Sequence, residues 1–144
     1  IQNAYNLVNR AFEVGLSEIT NHEDVGLLSY SPLAGGRLSG KYLNGIRPKN
    51  CRYTMWPGRF SRHLTERGEI AVTKYVNLAK KYNIKPSTFA NAFIINRPFI
   101  TSSIVGATSI NNLEENIRSI DVNLTDEMLK GIEEIHLSDP NPCV

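Results

Sequence analysis

Apolar positions along the chain follow two spacings. Three short runs, 1–7, 25–31 and 101–106, have strand character, and Gln2, Asn3 and Asn6 interrupt the first of them. The other apolar positions recur at helical spacing. Phe12, Leu16 and Ile19 predict a short helix over about 11–21, and Ile70, Tyr75, Leu78 and Ala79 a strong one over 64–82. Lys85-Pro86-Ser87 opens another helix with Phe89, Ala90, Phe93 and Ile94 on its face, ended by Arg97-Pro98. Thr108 or Ser109 caps a helix bearing Leu113, Ile117 and Ile120. Thr125-Asp126-Glu127 starts a last helix, with acids in its first turn and Met128, Ile132 and Ile135 on its face; residues 139–142 form a tail.

The order is β-α-β, a long irregular segment over 32–62, then α-α-β-α-α. Strands alternating with helices imply an α/β fold with a parallel sheet. Three strands with both edges bare are not self-sufficient, so the pattern predicts part of a larger α/β protein. No repeat or interdomain linker divides the chain. Its first residue is Ile1, inside a predicted strand, which points to a processed, truncated or partial chain.

Composition narrows the class. The 144 residues suffice for one domain with a core; 41% hydrophobic and 21% charged content are globular values, and a net charge of +2 is too small to imply nucleic acid. The charge is unevenly placed: no acid falls between Asp24 and Glu66, whereas Arg37, Lys41, Arg47, Lys49, Arg52, Arg59 and Arg62 do. That basic run points to a polyanionic ligand. Cys51 and Cys143 lack disulfide or zinc spacing and fit a reducing compartment. His22, His63 and His136 lack metal-ligand spacing and are expected at the surface or at helix ends. No apolar run is long enough to predict membrane insertion.

The most informative stretch is Gly26–Tyr42. A strand-like run ends in Ser31-Pro32 and enters a loop carrying Gly35, Gly36, Gly40 and Lys41. Backbone N–H groups freed by glycine, with a lysine, suit a phosphate at a strand end. The spacing Gly35-x4-Gly40-Lys41 matches a P-loop, but Tyr42 stands where magnesium binding needs Ser or Thr, and Leu43-Asn44-Gly45-Ile46-Arg47-Pro48 cannot start the required helix.

Three segments together resemble the aldo/keto reductases: Gln2-Asn3-x-Tyr5-Asn6; Tyr30-Ser31-Pro32-Leu33-x-Gly35-Gly36-x-Leu38-x-Gly40-Lys41-Tyr42; and Gly106-Ala107-Thr108-x3-Asn112-Leu113-x2-Asn116-Ile117. More narrowly, they resemble the branch holding Tas-type reductases and the β-subunits of voltage-gated potassium channels. It implies the C-terminal part of a (β/α)8 TIM barrel, strands 6 to 8 with their helices, over residues 1–144, the N-terminal half being absent. Family members are oxidoreductases that bind NADP(H) at the C-terminal mouth of the barrel and reduce aldehydes or ketones. That location agrees with the phosphate sites that barrels build after strands 7 and 8.

The family pattern also implies roles. Gln2 hydrogen-bonds the nicotinamide carboxamide, Tyr30 stacks on the nicotinamide ring, and Ser31, Leu33, Ala34 and Gly35 wrap the pyrophosphate, with Pro32 turning the chain away. Lys41 and Arg52 reach phosphate, Arg59 being a rival to Arg52. Gly106 and Thr108 sit at the 2′-phosphate, and Asn112, Glu115 and Asn116 hold the adenine. The family's Asp, Tyr, Lys and His tetrad lies on strands upstream of Ile1, so no catalytic residue and no metal ligand is expected here, and the chain alone is expected to be inactive. A small carbonyl substrate and a cytoplasmic location follow from the resemblance. A channel β-subunit-like NADP(H)-binding regulatory module is the alternative, although Tyr30, where channel β-subunits tend to carry Trp, leans to the enzyme. Homo-oligomer and channel partner both stay open.

Overall fold

The computed structural model of the chain describes residues 1–59 and 61–144. Three parallel strands, β1 (Gln2–Ala4), β2 (Leu27–Tyr30) and β3 (Ile100–Ser103), form one sheet in that order. Each is shorter than its apolar run. Asn6 ends β1: it exchanges backbone hydrogen bonds with Asn9 at 3.0 Å, its Oδ1 accepts from the Val8 N–H at 3.0 Å, and its Nδ2 donates to the Ser31 carbonyl at 3.0 Å. The asparagines that interrupt the apolar run therefore build a turn and tie it to the residue just past β2.

The helices are α1 (Leu16–His22), α2 (Arg52–Met55), α3 (Glu66–Lys81), α4 (Pro86–Ile95), α5 (Ile110–Arg118) and α6 (Asp126–Ser138). Thr65, Ser109 and Thr125 cap α3, α5 and α6, each accepting a backbone N–H three residues on, which satisfies a donor with no partner inside the helix. The core centres on Tyr5, Leu27, Phe89, Phe93 and Ile132. Phe93 stacks on Tyr5 at 5.9 Å, and Phe99 meets Tyr5 edge-on at 5.2 Å.

Several expectations change. The helix at 11–21 is a 3-10 turn, Ala11–Glu13, followed by α1; Gly15 at φ +95° breaks the run, so Phe12 is buried while Leu16 and Ile19 face out. On α3 the buried stripe is Ala71, Val72, Tyr75, Val76 and Ala79, and Ile70 is exposed because it lies off that stripe. α4 buries Phe89, Ala90, Phe93 and Ile94 as its spacing predicts. No residue of α5 is buried: Leu113 and Ile117, with Ile120 just beyond the helix, form an exposed stripe. The segment 32–62 carries the 3-10 turns Ala34–Ser39 and Leu43–Gly45 and the single turn of α2; its Phe60 lies outside the described residues. The predicted tail is anchored. The Arg10 N–H donates to Asn141 Oδ1 at 2.6 Å, Thr65 Oγ1 donates to the Pro142 carbonyl at 3.3 Å, and the Cys143 N–H donates to the Val8 carbonyl at 3.2 Å.

A partly buried ionic cluster locks the turn after β1. Glu13 accepts from Tyr5 Oη, from Arg10 at 2.6 and 2.9 Å, and from Arg97 at 3.1 Å, while Arg10 also reaches Glu133 of α6 at 2.9 Å. Burial pushes the Glu13 carboxyl up, but the hydrogen bonds from Arg10 and Tyr5 and the charges of Arg10 and Arg97 outweigh it and bring it down to about 2. Among the described residues, no helix is long and apolar enough to cross a membrane, and no group of three or more His, Cys, Asp or Glu side chains could hold a metal.

Candidate functional site

The sheet has two unlike faces. Leu27 and Ser29 are buried, whereas Leu28 is exposed and Tyr30 half-buried. The register sets Gln2 opposite Leu28 and Ala4 opposite Tyr30, and the two-residue period puts Gln2 and Tyr30 on the same face. An amide and an aromatic ring thus share the open face of the sheet.

Beyond β2 the chain turns sharply. Ser31 and Ala34 adopt φ +59° and +48°, values that non-glycine residues rarely take, and Gly35 and Gly36 follow at +69° and +96°. The turn closes on itself: the Ala34 N–H donates to the Ser31 carbonyl at 2.9 Å and the Gly36 N–H to the Leu33 carbonyl at 2.8 Å. The Ala34 amide, expected on the pyrophosphate, is therefore held within the turn. Lys41 folds back against the glycines. A Cβ placed on Gly36 would lie 3.5 Å from Lys41 Nζ, and that ammonium stands 5.1 Å from the Tyr42 ring. The glycine turn and the lysine come together as their spacing suggested.

The basic run divides. Arg37 points inward, is buried, and pairs with Glu69, so its charge is already matched. Lys41 and Arg52 are exposed. Arg52, in the single turn of α2, lies close enough to lower the proton affinity of Tyr53 and His63. His63 is not a surface residue: it is 2% exposed, and a Cβ placed on Gly35 would lie 3.6 Å from its ring. Burial first, then the charges of Arg62, Arg37 and Arg52, bring it down to about 4, so it is neutral at pH 7. His63 and Tyr53 were missed because neither falls on a helical or strand period, and burial in an irregular segment leaves no such trace.

At the end of β3, Gly106 and Thr108 are exposed. Ser109, of the two candidates, caps α5 by accepting from the Asn112 N–H at 3.2 Å, and Thr108 Oγ1 accepts from Asn112 Nδ2 at 3.4 Å. Asn112, Glu115 and Asn116 share a face of α5, at i, i+3 and i+4. The last two are engaged with α4: Glu115 pairs with Lys85 and accepts from Ser87 at 3.4 Å, and Asn116 Oδ1 accepts from Asn91 Nδ2 at 2.9 Å. Asn91 is buried, and its Oδ1 has no partner among the described residues. A groove of about 470 Å³ opens beside this pair, between β3, α4 and α5.

Comparison with known proteins fits this geometry. The model of the aldo/keto reductase family matches residues 1–137. Protein Tas of Escherichia coli is 43% identical over 136 residues, covering 94% of this chain and 39% of Tas. An Escherichia coli L-glyceraldehyde 3-phosphate reductase is 32% identical over 86–96% of the chain in two strains. A probable voltage-gated potassium channel β-subunit of Arabidopsis thaliana is 32% identical over 84% of the chain. The chain spans about two fifths of the length of each. A glycerol dehydrogenase from Gluconobacter oxydans superposes with a TM-score of 0.76 at 20% identity, over 98% of this chain and 43% of that one, so the fold is that of part of a barrel. The chain belongs to the aldo/keto reductase family.

Proposed function

We propose that this chain is the cofactor-binding part of an NADP(H)-dependent aldo/keto reductase that reduces aldehydes or ketones. The observation that carries the reading is the turn after β2, where glycines at positive φ are held against the Lys41 ammonium at the same end of the sheet as the N-terminus of α5. Both features favour anions. The donor set fits a dinucleotide. Ser31, Leu33 and Gly35 with Lys41 and Arg52 would hold the pyrophosphate, and Gly106 and Thr108, beside the α5 N-terminus, the 2′-phosphate. Asn112, Glu115 and Asn116 would hold the adenine, and Gln2 and Tyr30 would orient the nicotinamide on the open face of the sheet.

The bound cofactor supplies the hydride. This chain's residues bind it and fix which face of its ring is presented, and in our reading the proton-donating tetrad belongs to the part of the barrel outside these 144 residues. Taken alone, the chain binds without turning over. The unpaired Cys51 and Cys143 support a cytoplasmic location. A second reading, an NADP(H)-binding regulatory partner of a channel, rests on the similarity to the Arabidopsis protein, but identity to Tas is higher and Tyr30 favours the enzyme.

The test is a fluorescence titration of the 144-residue chain with NADPH and, in parallel, NADH. Saturable binding that favours NADPH supports the reading. Equal affinity for both would refute the 2′-phosphate assignment, and aldehyde reduction by the purified chain would refute the placement of the tetrad.

A further inference from the structure

The segment after the glycine turn has an inner face that the cofactor reading does not use. Tyr53 of α2 and His63 are both buried and lie under Gly35, where an added Cβ would stand 2.6 Å from Tyr53 Oη and 3.6 Å from His63 Cδ2. Tyr53 Oη donates to the Ala34 carbonyl at 3.4 Å, which is the residue held at φ +48°. Tyr42, itself buried, meets the Tyr53 ring edge-on at 4.8 Å, and a Cβ placed on Gly36 would lie 3.4 Å from its Cε2. Arg62 Nε donates to His63 Nε2 at 3.3 Å and so orients the imidazole. Three rings thus surround a turn that would otherwise relax, since residues at strained φ persist only where their surroundings over-determine them.

We propose that Tyr53 and His63 are positioning residues that hold the Ala34-Gly35-Gly36 turn in its phosphate-receiving shape. This rests on the cofactor reading for the identity of the ligand, but not for the shape of the turn. Neither residue touches the ligand. Tyr53 holds the Ala34 carbonyl, and the edge of the His63 ring fills the space under Gly35. Glycine at 35 is needed for two reasons, its φ and the absence of room for a methyl group above Tyr53.

The test uses the 144-residue chain with Tyr53→Phe, which removes only the hydroxyl, and His63→Leu as the second variant. Amide hydrogen exchange of the cofactor-free protein is read at 33–42. Loss of the Tyr53 hydroxyl is expected to speed exchange there by about fivefold, the loss of one neutral hydrogen bond, while exchange in α4 and α6 is unchanged. NADPH affinity falls by a similar factor, whereas adenosine 2′,5′-bisphosphate, which lacks the pyrophosphate, binds both forms equally. Unchanged exchange at 33–42 in both variants overturns the proposal, as does exchange that rises equally throughout the chain. Faster exchange confined to 33–42, in a chain that binds no NADPH, keeps the positioning role and removes the cofactor reading instead.

Discussion

Replacing Glu13 by Gln removes one charge from the partly buried cluster and leaves its volume almost unchanged. In the native chain the carboxylate is held at about 2 against an ordinary 4.5, a gap that corresponds to about 3 kcal/mol at about 1.4 kcal/mol per pH unit. Because the folded value is the lower one, this stabilisation is fully present above pH 4.5 and is lost as pH falls towards 2. The Glu13 side chain is 22% exposed and Arg10 keeps Glu133 at 2.9 Å, so Glu13→Gln is expected to cost about 2–3 kcal/mol at pH 7. Urea unfolding followed by circular dichroism, at pH 7 and at pH 3, measures it. The variant's deficit should shrink at pH 3, where the carboxyl of the unfolded chain, with its ordinary value of 4.5, is already protonated while the native one still holds its charge. A deficit below 1 kcal/mol at pH 7, or one of equal size at both values, would show that the cluster contributes by shape and not by charge.

Other perturbations separate the site from the scaffold. Lys41→Ala should weaken NADPH binding by about tenfold, the usual scale for losing a charge-assisted contact, with no change in melting temperature. His63, held down near 4 by burial and by Arg62, Arg37 and Arg52, contributes stability that is complete above pH 6.5 and lost as pH falls through 4. His63→Leu should remove that part of the acid sensitivity in melts between pH 7 and pH 4, and an unchanged pH profile would count against a buried neutral imidazole. Ile117→Lys with Ile120→Lys should raise the concentration at which the chain self-associates in light scattering, because both side chains are more than half exposed, at 62% and 73%. A lowered melting temperature would show instead that they pack within the chain.

The element order was legible because the core of this chain is periodic. α4 and α6 bury the positions that their spacing names, with Ile135 half-buried, and Pro86, Ser109 and Thr125 stand at helix starts where sequence rules put them. The glycine turn and its lysine were legible at Gly35, Gly36 and Lys41 because their spacing after an apolar run already puts them together at a strand end. What escaped is non-local. Whether Leu16, Ile19 and Ile70 face in or out depends on what packs beside them, and no periodicity within a helix encodes that. Arg37 is indistinguishable in sequence from its exposed neighbours, and only the approach of Glu69 from α3 shows that its charge is matched. The irregular segment hid Tyr53 and His63 for the same reason: their partners are carbonyls and rings of another turn.

The anchoring of residues 141–143 has a consequence for synthesis. The Arg10 amide waits for Asn141, a partner 131 positions later, and Tyr5 waits for Arg97, 92 positions later. A ribosome adding about 5–20 residues per second delivers Arg10 many seconds before Asn141. Until then the asparagine turn after β1 must rely on its own local bonds, and the charges of Arg10 and Glu13 keep that early segment hydrated. The turn after β1 is therefore secured only when residues 141–143 arrive, and their loss would leave it to its local bonds alone.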